Sequence, residues 1–175
     1  MKIREENSMN KESFLAQLEY FNMVHGVTVR AIGTLSEADL DFRPGPTMRT
    51  PRELIYHIYT QEKLLADAAQ QGRFALDAAE RSNPESEAGA GGMKALVTVN
   101  DARAYAESCH QAAQVIFRAL SEEDLTRPVE SPFGTYPAWR YFAFAYDEHW
   151  HHRGQLYTYF RLLDKEPPML YDYGS

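Results

Sequence analysis

Leu35-Ser36-Glu37-Ala38-Asp39-Leu40 returns 85 positions later, from 35 to 120, as Leu120-Ser121-Glu122-Glu123-Asp124-Leu125. The same offset carries Thr50 onto Thr135 and Tyr56 onto Tyr141, so one helix–loop–helix unit is read twice along the chain. Each copy is preceded by an apolar stripe of helical period. In the first, Phe14, Leu18, Phe21, Val24, Thr28 and Ile32 recur at three- and four-residue steps, which predicts a helix from about Lys11 to Ile32 with one buried face. In the second, Ala102, Ala106, Cys109, Ala113, Ile116 and Leu120 predict a third long helix from about Val99 to Leu120.

The segment after each copy predicts the remaining helices. Asp41 to Arg49 holds two prolines around a glycine and reads as a loop. Thr50-Pro51-Arg52-Glu53 then supplies a hydroxyl cap, a proline at the first helical position and a glutamate at the third, so a second helix starts there and runs to Gly72. Leu54, His57, Ile58, Gln61, Leu65 and Ala68 share one face of it, which turns His57 inward. The fourth helix is expected from about Tyr136, capped by Thr135 with Pro137 in its first turn, to about Leu163. Its inner stripe reads Ala138, Phe142, Ala145, His149, His152, Leu156, Tyr159 and Leu163. The polar, glycine-rich stretch 80–92 is expected to be a long surface crossover between helices two and three. The expectation is an all-α four-helix bundle with a pseudo-twofold repeat, forming one domain over 9–175 behind a loose leader, 1–8.

Bulk properties narrow the function. At 175 residues the chain can bury a core without staples, and 44% apolar with 25% charged residues is globular composition. A net charge of -7 provides no basic field for phosphate backbones, so nucleic acid is not an expected partner. Cys109 is the lone cysteine, which excludes an intrachain disulfide and a thiolate cage and points to a reducing, cytoplasmic compartment. On an alanine-rich stripe it reads as a buried, inert thiol rather than a nucleophile. No run reaches membrane-spanning length, and the N-terminus is charged where a signal peptide is apolar.

Chemistry concentrates in Asp147-Glu148-His149-Trp150-His151-His152-Arg153, which holds three of the six histidines. Helical spacing lets Glu148 and His152 face one ion at i, i+4, or His149 and His152 at i, i+3. Zinc, nickel and iron accept such donors, and a catalytic site uses three protein ligands, with His57 as the third. The same run could instead be a solvated face paired with Arg153, and His57 a hydrogen-bonded core histidine. His151 points away from the stripe. Glu148-x-x-His151 is half of a di-iron pattern, but no second Glu-x-x-His accompanies it.

These residues resemble the DinB/YfiT-like family. The likeness rests on the Leu35–Leu40 motif, on Arg43-Pro44-Gly45-Pro46-Thr47-Met48-Arg49-Thr50, on Glu53-Leu54-Ile55-Tyr56-His57-Ile58, and above all on His151-His152-Arg153-Gly154-Gln155-Leu156 followed by Tyr159, Arg161-Leu162-Leu163 and Pro167-Pro168. It implies a divalent metal, zinc, nickel or iron, held by His57, by His152 and by the position of Glu148, where the family usually carries histidine. It also implies thiol-transferase chemistry with a low-molecular-weight thiol, or hydrolysis, on a small-molecule substrate, and a homodimer. The alternative is a non-catalytic bundle that has lost tight metal binding and works through partners. The tyrosine-rich tail, Leu170 to Tyr173, suits either an interface or a fold back over its own helices.

Overall fold

The structure, a computed structural model, describes residues 9–173; the expected leader, 1–8, lies outside them. Four long helices dominate: α1 (Lys11–Gly33), α2 (Pro51–Gln71), α5 (Val99–Ala119) and α7 (Ala138–Leu162). Between them lie a 3₁₀ turn at Ala38–Asp41, the short helices α3 (Leu76–Ser82), α4 (Glu87–Met93) and α6 (Glu122–Thr126), and an antiparallel hairpin of β1 (Pro128–Ser131) and β2 (Gly134–Pro137). The fold is all-α apart from that hairpin. α2 packs along both α5 and α7, and α1 closes against them.

α1 follows its sequence signals. Asn10 caps it by accepting the Ser13 N–H at 2.8 Å, and the six-residue stripe from Phe14 to Ile32 is fully buried. α2 opens on a reciprocal box: Thr50 Oγ1 accepts the Glu53 N–H at 3.2 Å, and Glu53 Oε2 accepts the Thr50 N–H at 2.7 Å. It closes at Gly72, in the left-handed conformation with φ 77°. Thr50→Ala is expected to cost about 1 kcal/mol by orphaning a helix-end donor. That corresponds to a melting point roughly 2–4 °C lower in a thermal denaturation scan.

Three expectations need correction. The stretch 80–92 is not unpacked surface chain, because the end of α3 and most of α4 fall within it and bury Ser82 and Gly89. Its glycines serve close approach: a methyl at Gly89 would overlap the Asn83 carbonyl, and one at Gly92 the Tyr56 hydroxyl. The α5 face is turned by one residue, so Ala106, His110, Ala113 and Phe117 point inward while Cys109 and Ile116 are half-buried at the flank.

Third, the repeat holds locally and then diverges. Ser36 N–H donates to Asp39 Oδ2 at 2.6 Å and Ser121 N–H to Asp124 Oδ2 at 2.9 Å, the same bond in both halves. Tyr56 and Tyr141 are both buried. Thr135, however, pairs with Glu130 in the hairpin, Tyr136 pairs with Val129, and α7 begins at Ala138 with Pro137 at its cap position. Backbone pairing of β2 with β1 consumes the residues that a capped helix start would have used.

Two apolar clusters stack along the long helices. One gathers Phe14, Phe21, Phe117 and Phe142; the other gathers Ile32, Leu54, Ile55, Leu156 and Phe160. Between their levels on the four helices stand buried polar side chains: His25 and Thr28 on α1, Glu62 on α2, His110 on α5, and His149 and Arg153 on α7. The tail folds back on its own chain, where Tyr173 Oη donates to Tyr20 Oη at 3.0 Å.

Candidate metal centre

α2 and α7 bring three donors together. His57 stands in the second turn of α2, and Glu148 and His152 lie one turn apart on α7. Glu148 Oε2 is 3.1 Å from His152 Nε2 and 3.6 Å from His57 Nε2, and one ligand atom from each residue falls within 4.8 Å of the others. Among the described residues this is the group of three or more such side chains arranged to hold a metal.

The far side of each ring determines what the near side can do. His57 Nδ1 lies 2.6 Å from the Ser82 carbonyl oxygen, which can only accept, so Nδ1 carries the proton. His152 Nδ1 lies 2.8 Å from Gln155 Oε1, and the Gln155 amide nitrogen reaches His151 Nε2 at 3.2 Å, an orientation consistent with His152 donating as well. Nε2 of each ring is thereby turned to a carboxylate oxygen, and it offers a lone pair there whenever it carries no proton. Lone pairs and an anion repel, so a proton on an imidazole or a cation has to occupy that junction. With imidazole protons in that junction, hydrogen bonds donated by His152 first and then His57 outweigh burial and hold the Glu148 carboxyl well below the usual carboxylate range, so it is anionic.

The donor set fits a divalent ion. Tetrahedral coordination at about 2.0–2.2 Å places neighbouring ligand atoms roughly 3.3–3.6 Å apart. The two distances to Glu148 Oε2 are close to that spacing. The Ser82 carbonyl belongs to the end of α3, so the crossover fixes the tautomer of His57.

His149, the alternative to Glu148, is not brought to the group. It is buried, and its Nε2 lies 2.8 Å from Thr28 Oγ1. Thr28 gives its own proton to the Val24 carbonyl at 3.1 Å, so it accepts from His149. Burial first, then the charge of Arg153, push His149 well below its ordinary value and keep it neutral. Nor is the run a solvated face: Arg153 is buried, donates to the Val24 carbonyl at 3.2 Å and lies 4.0 Å over the Trp150 ring. His151 is exposed, as its position predicts.

Sequence reading passed over a second polar group. His110 Nδ1 is 2.7 Å from Glu62 Oε1, and its ring stacks on His25 at 3.7 Å between centroids, with His25 Nδ1 3.1 Å from Tyr59 Oη. Burial, followed by the neighbouring His110 and His149, lowers His25 from its ordinary value to about 2. The signal was the 4-3-4 spacing of Ala106, His110, Ala113 and Phe117, which outcompetes the stripe through Cys109. Burial pushes the Cys109 thiol up, disfavouring the thiolate a nucleophile needs.

Two cavities adjoin the donors. Glu148 lines one of about 370 Å³, with walls from α2, the hairpin and α7. His152 lines another of about 390 Å³, together with Arg49, Thr47, Gln155 and Tyr159. The two linings share no residue.

A crystal structure of a DinB-like protein, YjoA from Bacillus subtilis, is similar with a TM-score of 0.68 and 22% sequence identity, covering 87% of this chain and 95% of that one, which shows the common fold. No curated protein matches the chain. The DinB superfamily profile matches residues 20–156, a span that contains all three candidate ligands and most of the four long helices, and the chain belongs to the DinB superfamily.

Proposed function

We propose that this protein is a metal-dependent enzyme that holds one divalent ion through His57 Nε2, a Glu148 oxygen and His152 Nε2, and that it transfers a small thiol to an electrophilic substrate. The observation that carries the reading is the pair of imidazoles held by outer acceptors so that both Nε2 atoms converge on one carboxylate. A bound zinc, nickel or iron ion supplies Lewis acidity there, lowering the pKa of a thiol or water.

The protein's own residues supply the rest. Ser82 and Gln155 orient the two rings, and the buried walls around His57 and His152 keep competing water from their inner sides. The cavity at His152 carries the Arg49 guanidinium, paired at 3.5 Å with the exposed Glu85 of the same lining, where a carboxylate on a low-molecular-weight thiol would compete for it, while the cavity at Glu148 is largely aromatic and suits an apolar electrophile. Two separate cavities at one donor group favour transfer between two molecules over hydrolysis of one.

The test is elemental analysis of the untagged chain together with thiol-transfer assays using glutathione-type, bacillithiol-type and mycothiol-type donors. Near one metal per chain is expected, with thiol consumption that depends on it. Because both Nε2 positions must be free of protons to bind a cation, metal affinity should fall as the solution is acidified. A metal-free chain that fails to take up added zinc, nickel or iron would sink the reading.

A further inference from the structure

We infer that the cavity beside Glu148 is a binding site for a compact aryl group carrying no negative charge. Its walls are Phe74 from the segment after α2, Phe133 and Tyr136 from the hairpin, and Tyr141 and Phe144 from α7. The rings are already set edge to face: Tyr136 and Phe144 centroids stand 5.4 Å apart at 89°, and Tyr141 and Phe144 5.7 Å apart at 74°. A further aromatic ring entering such a basket meets both ring faces and ring edges, the geometry aromatic pairs favour. The volume of about 370 Å³ is in the range of small-molecule pockets.

The hairpin shows that the basket is built rather than incidental. It is tied to the end of α2 by Phe74 N–H to the Glu130 carbonyl at 2.7 Å and by Glu130 N–H to the Gly72 carbonyl at 3.1 Å. This anchorage holds Phe133 at the cavity rim with 69% of its surface exposed, an unfavourable place for a phenyl ring without a partner.

Charge defines the rest of the class. The charged groups in the lining are Asp147 and Glu148, and neither lysine nor arginine lines it. The Arg140 guanidinium stands 5.8 Å from the Phe144 centroid and is not part of the lining. Asp147 presents an exposed carboxylate in the lining, so in the chain without metal two carboxylates face the cavity. An anionic substituent would be repelled there, whereas a neutral or cationic one is accepted.

The inference rests on the metal-enzyme reading only for what the bound group would react with; binding itself does not need the metal. The experiment therefore titrates the full chain, with and without equimolar zinc, with three probes of one shape: 2-phenylethanol, phenethylamine and phenylacetate, followed by calorimetry or ligand-observed NMR. In the chain without zinc the alcohol and the amine are expected to saturate one site, with phenylacetate at least tenfold weaker. Phe133→Ala, which removes an exposed ring and spares the core, should weaken both by roughly three- to tenfold, and Phe144→Ala by at least as much. Asp147→Asn should narrow the gap to phenylacetate.

In the chain without zinc, phenylacetate binding as tightly as the alcohol, no saturable binding of any probe, or indifference to both aromatic substitutions would each overturn the inference. Discrimination that persists in a chain unable to hold zinc would leave the aryl site standing while the metal reading fails. Zinc uptake without aryl binding would show the reverse.

Discussion

His57→Ala combined with His152→Ala is expected to lower bound metal from near one ion per chain to below about a tenth, and to abolish any metal-dependent turnover. Loss of a single outer hydrogen-bond partner of a metal ligand costs about 10–100-fold in affinity, and removing a donor atom exceeds that range. Each single substitution should therefore weaken binding by more than about 100-fold, because two donors cannot enclose an ion that needs three. Glu148→Gln keeps the side-chain shape but removes the charge, and it should fall between the parent and the histidine variants. His149→Ala is the control that separates the two arrangements open in the sequence: its Nε2 is committed to Thr28, so metal content should be unchanged. Elemental analysis after dialysis reads all five variants. A double variant holding as much metal as the parent would refute the site.

The largest stability effect is expected at Phe142, the position to which the repeat carries His57. Its ring meets Phe14 at 5.2 Å, Phe117 at 5.5 Å and Phe21 at 5.8 Å, each edge to face, in the cluster where α1, α5 and α7 converge. Phe142→Ala deletes the shared ring and leaves a void that close-packed neighbours fill only in part. The cost should be about 3–5 kcal/mol, equivalent to a melting point roughly 6–20 °C lower. Chemical denaturation should show a lower midpoint with the slope retained. Metal uptake at low temperature should survive, since the ring lies one level away from the donors. A loss below 1 kcal/mol would mean that the four-ring cluster does not form. The pairing of His57 with Phe142 shows what became of the repeat: equivalent positions serve a donor in one half and the packing centre in the other.

The sequence alone determined the four long helices and most of their faces. Apolar side chains at three- and four-residue steps can be buried only by a helix, and the Thr50 box and Gly72 mark ends through backbone groups that local residues must satisfy. It also determined that Glu148 and His152 share a face, because helical spacing is local geometry. It did not determine where chain pairs with chain. β1 and β2 form because 128–131 meets 134–137 and the end of α2, a contact with no signature in a four-residue strand. Thr135 thus read as a cap and became a strand residue.

Glycines in 89–92 read as slack but are contact points against Asn83 and Tyr56, a distinction visible only when the opposing atoms are present. The choice of Glu148 over His149 was of the same kind. Both lie on the inner side of α7, and only the positions of Thr28 on α1, which engages His149, and of His57 on α2, which meets Glu148, separate them. Local periodicity decides which way a side chain faces along its helix; which partner it meets is decided by the packing of the other helices.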